Sequence, residues 1–260
     1  MSGLEPLRNT FNEVASLYDE VRPGYPQEIV DAIIALAELP PGGRILEIGC
    51  GTGQITIPFA ARGYTILALE IGKALAALAA QKCRPYPRVE IVQTAFEAWP
   101  VQPQAFDLVL TAQAFHWIAP DEGCARAASA LKSGGAIALV WNLDLSEHTA
   151  FWQATLPIYN TYFPDTADDT SVSLEEKANR YKEALRRSDA FEDLQEMRHS
   201  WEKTYSGADY LKLLNTYSNH RMLPEPDKTH FFQAIAEVID RSGGVVSRMY
   251  ETLLLLARKK

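Results

Sequence analysis

The chain has no apolar run long enough to cross a bilayer. Its apolar runs, such as Leu253 to Ala257, are the size of a strand or a short helix. It also lacks a basic-then-apolar N-terminal pattern, so no secretory leader is expected and the cytoplasm is the default. Cysteine is scarce: Cys50, Cys83 and Cys124 are odd in number and not spaced like zinc ligands, so reduced thiols are expected and no metal. Positive charge is in deficit as well, with 25 Lys and Arg against 33 Asp and Glu, a net charge of −8. Without clustered basic residues to neutralise phosphates, the balance leans against a nucleic-acid partner.

What is present is the composition of an ordinary globular α/β protein, 260 residues with 47% hydrophobic and 22% charged side chains. The pattern turns on Arg44 to Gln54, Arg-Ile-Leu-Glu-Ile-Gly-Cys-Gly-Thr-Gly-Gln. Ile45, Leu46 and Ile48 predict a short buried strand. Gly49, Gly51 and Gly53, with Cys50 between the first two, predict a turn on which a ligand can lie against backbone. The helix opening at Gln54 directs its first N–H groups at that ligand. A dinucleotide fingerprint would place its third glycine one residue later. Glu47 precedes the turn; its carboxylate would repel a pyrophosphate but suits an ammonium or sulfonium centre.

Before this turn the sequence predicts two helices within residues 1–40. One carries Phe11, Val14, Ala15, Leu17 and Tyr18; the other is opened by Pro26 and has Ile29, Val30, Ile33, Ile34 and Leu36 on one face. After it, helix and strand alternate: helix 55–62, strand 64–70, helix 73–82, strand 88–93, strand 106–112, helix 122–131, the turn Lys132-Ser-Gly-Gly135 and strand 136–141. Such alternation with near-continuous apolar strands predicts a parallel sheet covered on both faces. From Asp144 to about Ser188 it breaks down into an aromatic segment, an acidic turn around Asp165 to Asp169 and a helix through Arg187. A strand within 191–205, helices 208–218 and 228–240, and a strand 249–257 follow.

The pattern E-x-G-x-G-x-G resembles motif I of the class I S-adenosylmethionine-dependent methyltransferases. The stretch Phe11-Asn-x-x-Ala-x-x-Tyr18, with Arg22-Pro-Gly-Tyr-Pro26 and Ala112-Gln-Ala-Phe-His-Trp117, resembles the branch of trans-aconitate methyltransferase-like enzymes. The resemblance implies a Rossmann-like fold with a seven-stranded, mostly parallel sheet ordered 3-2-1-4-5-7-6. It implies an N-terminal helical lid (1–40), a cofactor-binding core (41–143), a helical insert after strand five (144–190) and C-terminal elements completing the sheet (191–260). S-adenosylmethionine is the implied cofactor and a small molecule, often a carboxylate, the implied methyl acceptor.

Site residues follow from the same resemblance. Glu47, Gly49, Cys50, Gly51, Gly53 and Gln54 would hold the methionine end of the cofactor, with Tyr18 and Arg22 folding over it. Glu70, ending the second strand beside Ile71, would take the ribose hydroxyls. Ala95, Phe96 and Glu97 fall on the loop that passes the adenine; Ala95 stands where the family usually has Asp, so the exocyclic amine lacks its usual acceptor. Phe96 can stack on the base or pack in the core. Thr111 and Gln113 lie at the end of strand four, near the transferred methyl. His116 is either a general base or a positioning imidazole. Tyr25, Phe115, Trp117, Trp141 and Trp152 are candidates to line an acceptor pocket. Tyr159, Tyr162, Trp201 and Tyr205 can serve there or in the core. Three rival readings remain: an RNA or protein methyltransferase of the same fold, a non-catalytic cofactor-binding module, and a nicotinamide oxidoreductase, disfavoured by the glycine spacing.

Overall fold

In a computed structural model, which describes residues 15–164 and 174–260, Ile45 and Leu46 settle how the sheet is built. These neighbours on strand β1 (Arg44–Ile48) point to opposite faces, and both are fully buried. Ile45 enters a core shared with helices α2 (Gln27–Leu36) and α3 (Thr56–Ala61) through Ile29, Ile33 and Phe59. Leu46 enters the other core, with Val109, Ile137, Trp141 and Leu255. A strand covered on both sides has no polar face, hence its continuous apolar reading.

Around β1 the chain lays down β2 (Thr65–Glu70), helix α4 (Lys73–Lys82), β3 (Val89–Gln93), β4 (Phe106–Ala112), α5 (Pro120–Ala130) and β5 (Leu131–Asp144). After β5 come α6 (Ala150–Tyr162), α7 (Leu174–Arg187), β6 (Phe191–Ser206), α8 (Gly207–Leu214), α9 (Ser218–Arg221), α10 (Asp227–Arg241) and β7 (Val245–Lys259). The sheet order is β3-β2-β1-β4-β5-β7-β6, as expected. β1 to β5 run parallel; β7 is antiparallel to both β5 and β6. β1 pairs with β2 on one side and β4 on the other, so the chain reverses direction of build there and leaves a crevice at the carboxyl ends of the two strands.

Phe11 and Val14, expected on a helix, lie outside the described residues, as does the acidic turn expected at 165–169. Within the described residues, α1 (Ala15–Val21) buries Ala15 and Val21. Three boundaries differ from expectation. Strand β5 begins at Leu131, because Lys132 to Gly135 form a bulge within it: pairing with β4 jumps from Phe106↔Leu131 to Leu108↔Ala136, and Gly134 has φ +73°. It also runs on to Asp144, where β7 continues to pair with it up to Tyr250. The helix expected over 208–218 breaks after Leu214 and resumes at Ser218, with Tyr217 extended between the two pieces (φ −83°, ψ 131°).

A third core fills the space between α6, α8, α10 and the β6–β7 hairpin. Phe231, fully buried, meets Tyr159, Phe163 and His220 with ring centroids 5.4, 5.3 and 5.0 Å away. His220 is held by Leu214 O at 3.0 Å from Nδ1, and burial pushes its pKa down to about 4, so it stays neutral at physiological pH.

Candidate functional site

The glycine turn is shaped by contacts a side chain would forbid. Gly49, Gly51 and Gly53 have φ of +69°, +59° and +92°. Gly49 and Cys50 donate their N–H groups to Leu69 O at 2.8 and 3.1 Å, fastening the turn to β2. A Cβ on Gly49 would lie 2.4 Å from the Ala114 Cβ on the loop after β4. Glu70 braces the turn from β2: its carboxylate accepts from Gly51 N (2.9 Å) and Gly72 N (2.7 Å).

Below the turn opens a cavity of about 300 Å³. Its floor is Glu47, Ile48 and the turn itself; Leu69, Glu70, Ile71 and Leu75 form one flank, continued by Thr94, Ala95 and Phe96. Gln113, Ala114, His116, Trp117 and Ile118 form the opposite flank, with Asn142 behind them. Tyr18, Arg22, Pro23 and Tyr25 cover it, together with Tyr217 from the C-terminal half. The cover is tied down. Asp19 on α1 accepts from the Thr52 hydroxyl at 2.7 Å and pairs with Lys82 of α4, while Gln54 donates to Thr52 at 2.7 Å. Asn142 Nδ2 donates to Gly24 O at 3.1 Å, and Gln113 Nε2 donates to Asn142 O at 2.9 Å. Gln113 adopts φ +56°, a left-handed conformation uncommon for a residue with a side chain, with its N–H fixed to Val140 O at 2.9 Å.

Glu47 gives the cavity its electrostatic character. It is 1% exposed, and its Oε2 has no hydrogen-bond partner. Desolvation pushes its pKa up to about 8, the nearby Glu70 charge adding to the rise and the Thr56 hydroxyl opposing it. An unpartnered buried carboxyl beside a second acid suits a ligand that brings its own positive charge. A linkage follows. In the free protein Glu47 holds its proton up to about pH 8, whereas the unfolded chain loses it near 4.5, so its contribution to stability is complete below 4.5 and is lost as pH rises toward 8. A cationic ligand favours the carboxylate, so between pH 6 and 8 its binding should release up to about one proton. Calorimetry of S-adenosylhomocysteine in buffers of different ionisation enthalpy measures that release; Glu47→Gln should remove it.

Of the residues picked out from the sequence, Tyr18, Arg22, Glu47, Gly49, Cys50, Gly51, Gln54, Glu70, Ile71, Ala95, Phe96, Gln113 and His116 all line this one cavity, as do Tyr25 and Trp117. Phe96 packs in the core, 2% exposed with the Arg126 guanidinium 5.3 Å from its ring, and also borders the cavity. Gly53, Glu97 and Thr111 lie off the lining; Gly53 shapes the turn, and Thr111 is buried at the end of β4. Three acceptor-pocket candidates are corrected. Phe115 and Trp141 are each 1% exposed and pack against Tyr181 at 5.2 and 6.0 Å, because their positions face the α7 side of the sheet. Trp152 packs on Tyr159 at 5.3 Å, on the flank of the third core. Tyr159, Tyr162, Trp201 and Tyr205 likewise belong to that core. Asn142 and Tyr217 went unselected. Asn142 had a faint signal, a lone amide ending an apolar strand; Tyr217 had none.

A glycine turn, an acid ending each of β1 and β2, and a crevice beside β4 are the parts of a nucleoside-binding methyl-transfer site. Comparison with known proteins agrees. Residues 45–135 match the family model of the methyltransferase domain. An uncharacterized methyltransferase of Mycobacterium tuberculosis is 32% identical over 134 residues, which is 51% of this chain and 52% of that protein. An uncharacterized methyltransferase of Schizosaccharomyces pombe is 25% identical over 90% of this chain and 88% of its own. The first of these matches spans only about half the length of the relative. A solved structure of a candidate type II methyltransferase from Anaeromyxobacter dehalogenans superposes with a TM-score of 0.63, covering 91% of this chain and 97% of that one at 20% identity, a likeness of fold. Residues 45–135 carry the methyltransferase domain, and the residues of the cavity fit S-adenosylmethionine: a buried acid with an unpartnered oxygen for its cationic end, glycines where its backbone contact must be close, and Glu70 within the same cavity.

Proposed function

We infer that this protein transfers the methyl group of S-adenosylmethionine to an oxygen, carboxylate or hydroxyl, of a small-molecule acceptor. The supporting observation is the cavity itself: it is small, roofed by Tyr18, Arg22, Pro23 and Tyr25, and continuous from the acid end at Glu47 to His116 and Trp117. When bound, the cofactor supplies an electrophilic methyl group on sulfur. Glu47 and Glu70 hold its cationic and hydroxyl groups, and Arg22 its carboxylate. The tied-down cover excludes water from the reacting centre, and the flank at Gln113 to Trp117 orients the attacking oxygen. Three free, buried cysteines support a reducing, cytoplasmic setting.

His116 lines the cavity with its ring 4.9 Å from that of Trp117. For a hydroxyl acceptor, which must shed a proton, His116→Ala should lower kcat about a hundredfold or more while leaving S-adenosylhomocysteine affinity within about twofold. Unchanged turnover would remove His116 from the chemistry. The function itself is tested by incubating the protein with labelled methyl donor and separate pools of small acids, phenols and amines, with transfer RNA alongside. Label in an acid or hydroxyl pool is the expected result; label in the RNA overturns the reading.

A further inference from the structure

Among the described residues, Arg22 brings the one guanidinium to the cavity lining. Its Nε donates to Thr216 Oγ1 at 2.8 Å and its Nη2 to Thr216 O at 3.2 Å. The guanidinium also lies over two rings, with the Tyr18 centroid 5.1 Å from Cζ and the Tyr217 centroid 4.5 Å away. None of the ion pairs among the described residues involves Arg22. Nε and Nη2 are therefore engaged by Thr216, and the Nη1 donors, with no hydrogen bond among the described residues, remain for a ligand in the cavity.

The residues that impose this come from the break between α8 and α9, almost two hundred positions along the chain. Thr216 is 1% exposed; its hydroxyl spends its proton on Leu213 O at 2.7 Å, so toward Arg22 it acts purely as an acceptor. Tyr217 is fixed in turn by Arg248, whose Nη1 donates to the phenol oxygen at 2.7 Å and which pairs with Asp144 at the end of β5. Burial raises the Tyr217 phenol, so it stays uncharged beside two guanidinium groups.

We propose that Thr216 is a positioning residue, aiming Arg22 at the carboxylate of the methyl donor's amino-acid end, with Tyr217 as the ring against which the guanidinium rests. This rests on the methyl-donor reading of the cavity. A pre-oriented guanidinium loses little side-chain freedom when it binds a carboxylate, and without Thr216 that freedom returns. The role concerns one end of the ligand alone, which separates it from a general contribution to folding.

The test is calorimetry on the whole protein with two probes, S-adenosylhomocysteine, which carries the carboxylate, and 5′-methylthioadenosine, which lacks the amino-acid end. Thr216→Val is expected to weaken S-adenosylhomocysteine about tenfold and to leave 5′-methylthioadenosine within about twofold, whereas Thr216→Ser, keeping the acceptor, should bind both like the parent. Equal losses for the two probes, an unchanged affinity for S-adenosylhomocysteine, or a Ser variant that behaves like Val would each overturn the assignment. A parent protein that binds neither probe would instead sink the reading of the cavity, and the assignment with it.

Discussion

Gly49→Ala should abolish measurable binding of S-adenosylhomocysteine, a loss of at least about a hundredfold, since displacements near 1 Å suffice for that in a close-fitting site. Two costs combine at this position. An alanine at φ +69° is strained by about 1–2 kcal/mol, and its Cβ would sit 2.4 Å from Ala114 Cβ, well inside contact distance. The turn or the loop after β4 must move, and both line the cavity. Relief of such an overlap costs a further 1–3 kcal/mol or so, and the midpoint of thermal unfolding should fall by about 5–10 °C. Gly63→Ala is the control: its φ is +84°, but nothing lies within 4 Å of the added methyl. That variant should lose about 1–2 kcal/mol of stability from strain alone and bind as before. A Gly49→Ala protein that binds within threefold of the parent would show that the turn does not hold the ligand closely.

The second large effect concerns stability. Phe231→Ala should lower the free energy of unfolding by about 3–5 kcal/mol, the range for a large buried aromatic. Phe231 is fully buried, and five rings surround it: Tyr159, Tyr162, Phe163, His220 and Phe232. These rings come from helices α6, α9 and α10 and the residue after α6, so none can close the gap alone. Chemical denaturation should show the drop. Because this core also supports the α8–α9 break that carries Thr216 and Tyr217, a partial loss of S-adenosylhomocysteine affinity should accompany it. A loss below about 1 kcal/mol would mean that the aromatic core repacks freely.

The parts of this protein that declare themselves in sequence are the local ones. The strand, the three glycines and Glu47 lie within a dozen residues, and each is demanded by backbone geometry that only particular residue types satisfy. Glu70 could be placed because a βαβ unit fixes its distance from the turn. The acceptor end was less readable, since aromatic side chains look alike whether they line a cavity or fill a core. Phe115, Trp141 and Trp152 chose the core because their positions face α7 or the aromatic cluster, which depends on tertiary packing. Tyr217 reaches the cavity only because a helix breaks after Leu214, and no proline or glycine between there and Ser218 announces the break. Strand lengths failed for a related reason: β5 extends as far as it finds β7, and β7 beyond that as far as it finds β6, a reach that no one strand's sequence encodes.

That mutual reach has a bearing on biosynthesis. β7 sits between β5 and β6, although it is made after both and after every helix described between them. A ribosome therefore delivers β5 with one flank of its backbone amides and carbonyls open, in an apolar segment suited to stick to a like strand of a neighbouring molecule. Only the emergence of Val245 to Lys259 seals that flank, so mutations or truncations that delay this stretch should show up first as insoluble product, before any deficit in the catalytic pocket is felt.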